Sequence, residues 1–110
     1  MTRENSVVSG WARLPSQLGD AQKALLLEIG FDLELGTCEA CALSPDYALT
    51  RGLVEDTLVG RHMSELPEVA NEVKARCLGP LQRPLVAAIL NAWSNWSRFN
   101  ESRRSSGSAK

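Results

Sequence analysis

The apolar residues of this chain recur mostly at helical spacing, in blocks separated by Pro15, Gly19, Gly36, Pro45, Gly60, Pro67, Gly79, Pro80 and Pro84. In the first block, Leu18, Ala21, Leu25, Ile29 and Leu33 fall on one helical face between Asp20, a candidate N-cap, and Gly36, a candidate C-cap. The same stretch also alternates. Ile29, Phe31, Leu33 and Leu35 interleave with Gly30, Asp32 and Glu34, which is the pattern of a half-buried strand. A strand here has no predicted partner within the chain short of a second copy, so helix is preferred.

The second block has Ser44 as N-cap, Pro45 at the first helical position, Asp46 in the first turn and Gly60 just past the end. It buries a stripe of Tyr47, Val54 and Leu58. The third block opens near Ser64 with Pro67 in its first turn, carries Leu66, Val69, Ala70, Val73 and Cys77 on one face, and stops at Gly79. The fourth runs without a breaker from about Pro84 to Asn100. Leu85, Ala88, Ile89, Ala92, Trp96 and Phe99 line one face of it, with Val86, Leu90 and Trp93 as an adjoining stripe. Two stripes make a surface wider than a simple surface helix needs, so this helix crosses the core or meets a partner. These elements predict an all-α domain of about four helices over residues 11–100. Residues 1–10 and the Ser-rich, basic 101–110 are predicted to be disordered tails.

With 110 residues, 44% hydrophobic and 23% charged, the chain suits one packed domain. A core this small favours oligomerisation, and a homodimer is expected. The net charge of -1 conceals a segregation: residues 20–72 carry eleven acids against three bases, and residues 73–110 carry seven bases and only Glu101. No apolar run reaches membrane-spanning length and the N-terminus lacks a secretory pattern, so a cytoplasmic location with no membrane partner is expected. Three cysteines in such a chain suggest reduced, buried thiols.

Candidate chemistry is sparse. Cys38 and Cys41 form C-x-x-C with His62 and Cys77 downstream, but these last two are separated by a predicted helix and so do not pair as zinc ligands usually do. A thioredoxin-like role for the two close cysteines needs a βαβ context the pattern does not supply. The single histidine has no nucleophile motif near it, and the glycines form no phosphate loop, so the chain is expected to be neither an enzyme nor a cofactor binder. A helix-turn-helix over the second and third helices would carry Glu65, Glu68 and Glu72 where base-reading residues belong, so direct nucleic-acid binding is not expected either. The alternative of a small helical DNA- or zinc-binding regulator rests on Arg98, Arg103 and Arg104 or on the cysteines. The cluster Trp93, Trp96 and Phe99 is the most informative, because large aromatics dominate interface energetics. Together with Leu85, Ile89 and Leu90 it is the candidate partner-binding surface, with burial inside the monomer as the competing role. Trp11 suits either role by packing back onto the same helix.

The stretches TCEACALSPDYALTRGLVEDTLVG (37–60) and LVAAILNAWSNWSRF (85–99) resemble the small antiactivators of bacterial quorum sensing, as do the overall length and segmentation. That resemblance implies a helical, dimeric protein that binds the ligand-binding domain of a LuxR-type transcription factor. It further implies that the protein blocks the receptor's dimerisation and hence its grip on DNA.

Overall fold

The computed structural model describes residues 5–14, 24–44 and 47–108, the last six as backbone only. In it the fold is mixed α/β, with three strands where an all-α bundle was expected. β1 (Asn5–Arg13), β2 (Ala24–Asp32) and β3 (Cys38–Ser44) form an antiparallel sheet in the order β1-β2-β3. α1 (Ala48–Leu58), a 3-10 turn (Met63–Glu65), α2 (Leu66–Arg76) and α3 (Gln82–Ser108) follow. The helices layer over one face of the sheet: α3 lies along β1 and β2, α2 along α3, and α1 against β3 and α2.

The block read as a first helix is β2, and geometry explains why. Leu25, Leu27, Ile29 and Phe31 are all buried, the first three completely. A helix turns about 100° per residue and would point Leu27 nearly opposite to Leu25, whereas a strand places all four on one face. Full burial of each contributes roughly 2 kcal/mol, so the strand gains burial of side chains that a helix would leave outside. The alternation ends at Phe31. Leu33–Leu35 form a turn in which the Asp32 carboxylate accepts the backbone N–H groups of Glu34 and Leu35, both at 2.8 Å. Gly36, expected as a helix C-cap, completes this turn at φ +73°. Asp20 lies outside the described residues.

Both missing strand partners come from stretches read as non-strand. β1 begins at Asn5, inside the expected tail, and pairs with β2 in full register from Asn5↔Asp32 to Arg13↔Ala24. β3 contains Cys38 and Cys41, expected between helices, and ends on Ser44, expected as an N-cap. A register shift opposite Gly30/Phe31 lets Cys38, Cys41 and Leu43 all turn inward. Pro45 and Asp46 lie outside the described residues, and Tyr47 occupies the N-cap of α1.

The helical blocks fall near their expected places. α2 has Pro67 in its first turn, where no intrahelical N–H is needed, Glu68 near its start, and Lys74 and Arg76 near its end, matching the helix dipole. His62 caps the turn before it: its Nδ1 accepts the Ser64 N–H at 3.0 Å, and the Glu65 carboxylate accepts the His62 N–H at 3.3 Å. α3 continues as helix to Ser108, through the stretch expected as a tail. Its 27 residues span about 40 Å, which accounts for the long axis of the 52 × 24 × 24 Å molecule. No helix among the described residues is long and apolar enough to cross a membrane.

β1 and α3 approach closely at Gly10. A Cβ at Gly10 would overlap the Ala88 carbonyl oxygen and lie 2.5 Å from Ala92 N and 2.9 Å from Ala92 Cβ. The strand therefore crosses directly over one hydrogen-bonded rung of the helix, and both surfaces are stripped to glycine and alanine where they meet. Gly10→Ala should lower the unfolding free energy by about 3 kcal/mol, the upper end for an overpacked core, because both obstructing groups are backbone. Urea unfolding followed by circular dichroism measures this, and an unchanged midpoint would show that β1 is not seated as described.

Candidate interaction surface

Seating β1 through Gly10 fixes the direction of every side chain along it. Gly10 and Ala12 turn toward the helical layer, so Val7, Ser9, Trp11 and Arg13 point to the other face. The strand's free edge is held by two asparagines one helical turn apart on α3. Asn91 Oδ1 accepts the Trp11 N–H at 3.0 Å, and Asn95 Nδ2 donates to the Ser9 carbonyl at 2.8 Å. These side chains occupy edge groups that a further strand would otherwise use. Since the Trp11 main chain turns to the edge, Trp11↔Leu26 is a non-hydrogen-bonded pair, the kind whose side chains sit closest.

The face opposite the helices is uncovered by any described residue. Across it run three rows: Trp11, Leu26 and Ser44; Ser9, Glu28 and Ala42; Val7, Gly30 and Ala40. Trp11 is 57% exposed and Val7 63%, with Leu26 at 39%. The face is high along β1, where Trp11 and Val7 stand, and low along β3, where Ala40, Ala42 and Ser44 carry little side chain. Glu28 is exposed at its centre and Arg13 at one end. An exposed tryptophan beside an exposed leucine on a face floored by alanine and glycine makes this the candidate interaction surface.

The six residues expected to bind a partner are dispersed. Leu85 and Ile89 are completely buried, packed toward the sheet, and present no surface. Trp93 and Trp96 are half-buried against the core. The Trp96 ring meets the His62 imidazole edge-on, with centroids 6.0 Å apart. Phe99 rests edge-on against Phe31 at 6.4 Å and stays 41% exposed. Leu90, 40% exposed, borders a hollow of about 370 Å³ between α2 and α3, lined also by Lys74, Gln82, Arg83, Val86 and Ala87. α3 thus packs against both the sheet and α2, leaving Leu90 and Phe99 partly exposed. Trp11 meets α3 through its backbone while its indole faces away. Sequence reasoning missed Leu26, Val7 and the alanines of β3. The usable signal was the alternation from Leu25 to Phe31, which leaves Leu26 as the one large apolar residue on the wrong side.

Several other polar groups are engaged structurally. Arg61 gathers Glu65 at 2.8 Å, Glu72 at 2.9 Å and Glu68 at 3.8 Å, so the acids of the 3-10 turn and of α2 surround a cation of their own chain. The Arg61 hydrogen bond holds the Glu65 carboxyl below its ordinary range. Among the described residues no three His, Cys, Asp or Glu side chains come together as a metal-ligating group. Cys38 Sγ lies 3.4 Å from Met63 Sδ, and Cys41 Sγ points at the Arg51 carbonyl at 3.9 Å. Burial pushes these thiols up to about 11 and about 12. They are neutral, inert core groups.

Compared with known proteins, the chain matches no family model, no curated protein and no solved structure.

Two outcomes follow from the thiols. At pH 8 the folded protein should react with a disulfide reagent at Cys77, which is half-buried, while Cys38 and Cys41 react only on unfolding; fast labelling of all three would contradict their burial. Because the folded pKa values of Cys38 and Cys41 lie above the unfolded ones, their contribution to stability is complete below about pH 9. It is lost as pH rises toward 11 and 12. Denaturant midpoints across that window should fall, and Cys41→Ala should fall less steeply.

Proposed function

We propose that this chain is a cytoplasmic regulator that acts by binding another protein and not by catalysis. The observation that carries it is the uncovered sheet face with Trp11, Leu26 and Val7 exposed together. Its specific form is an antiactivator: it binds the ligand-binding domain of a LuxR-type transcription factor and keeps that receptor from dimerising on DNA. The likeness of residues 37–60 and 85–99 to such antiactivators supports this choice of partner. The exposed Trp11 and Leu26 on that face support it too, since a receptor's dimerisation surface is apolar at its core. Homodimerisation of this chain belongs to the same proposal.

Native mass spectrometry of the chain co-expressed with a LuxR-type receptor tests it. A mixed complex lacking a receptor homodimer is the expected result. An intact receptor dimer beside a free chain would overturn the antiactivator mechanism.

A further inference from the structure

The uncovered sheet face has dimensions that select its occupant. About eight residues of each strand at 3.3 Å, across three strands 4.8 Å apart, give a face of about 26 by 14 Å, or roughly 400 Å². A stable globular interface takes about 800 Å² from each partner, so the face is too small to hold two copies of this chain together by itself. Charge also opposes a second copy. Glu28 stands exposed at the centre of the middle strand, and any two-fold that covers the whole face brings Glu28 against Glu28. One α-helix fits: its width of about 10 Å and a length of about 18 residues match the strip. The low floor of Ala40, Ala42 and Gly30 lets a helix approach closely, with Trp11 and Leu26 standing beside it.

We infer that this face receives a single amphipathic helix of the partner protein, carrying a lysine or arginine within its apolar stripe to meet Glu28. This rests on the protein-binding function proposed above and names the surface and the chemistry that would carry it. Trp11 supplies the large aromatic anchor typical of such sites, and Glu28 sets the partner and the register. A base held in a mostly apolar contact is charge-paired only there, so a helix with an acid at that position is rejected.

A photo-crosslinking residue placed at Ala42, with a second chain carrying it at Leu49 on the helical layer, tests this in the full-length protein co-expressed with a LuxR-type receptor domain. Ala42 should crosslink to one basic amphipathic helix of the receptor and Leu49 should not. Glu28→Lys should weaken the complex about tenfold or more, leave the circular dichroism spectrum unchanged, and be rescued by exchanging the crosslinked receptor's base for glutamate. A complex that forms with full affinity in Glu28→Lys, or that crosslinks only from Leu49, overturns this inference while the protein-binding function stands. Crosslinks from Ala42 to a second copy of the chain overturn it as well. Absence of any complex with the unsubstituted chain overturns both.

Discussion

The fold depends on the contact in which β1 lies against α3 at Gly10. Ala88 and Ala92 are spaced by one helical turn, and Gly10 fits over the backbone between them with no room for a Cβ. Asn91 and Asn95, also one turn apart, then reach the edge of the strand from the side of the same helix. Each such hydrogen bond contributes about 1 kcal/mol. Their larger effect is on register, because together they fix where Ser9 and Trp11 stand along α3. Four residues of one helix therefore determine which way every side chain of β1 points.

Other contacts hold the rest of the sheet to this frame. The β2–β3 turn reaches the segment before α2 through the Met63 N–H, which donates to the Gly36 carbonyl at 2.7 Å. A Cβ at Gly36 would collide with the His62 imidazole, and that ring in turn touches Trp96 of α3. Arg61, beside it, draws in the acids of α2. Part of the acid-rich middle of the chain is thus engaged in internal structure, and the uncovered sheet face carries Glu28 and Arg13. The helical layer buries Leu25, Leu27, Ile29 and Phe31 of β2 together with Leu85 and Ile89 of α3, whereas Trp11, Val7 and Leu26 stay exposed on the far side of the sheet.

How much of this was legible in the sequence differs by element. The ends of α1 and α2 and the course of α3 were signalled by Gly60, Pro67, Gly79 and an unbroken apolar periodicity. β2 was ambiguous: Leu25, Ile29 and Leu33 fit a helix, while Leu25, Leu27, Ile29 and Phe31 fit a strand, and only the presence of neighbours decides. β1 was unreadable because its buried side is small, with Gly10 and Ala12 inward and Trp11 outward, the reverse of the usual pattern. β3 was hidden by the irregularity near Ala40, which breaks its alternation. The interaction surface was lost with the strands. Trp93, Trp96 and Phe99 drew attention by size alone, whereas the surface requires knowing that Leu26 and Trp11 are cross-strand neighbours.

The proposed protein-binding role requires that Trp11, and not Trp93 or Trp96, meets the partner. Fluorine NMR of the chain labelled with 5-fluorotryptophan resolves the three indoles, each assigned by a Trp→Phe variant. The account predicts that Trp11 shows the largest solvent isotope shift and the strongest broadening by a soluble paramagnetic probe, and that its signal alone becomes protected when the partner is added. Equal protection of all three in the free protein, or a complex that shields Trp93 and Trp96 while Trp11 stays open, would contradict it.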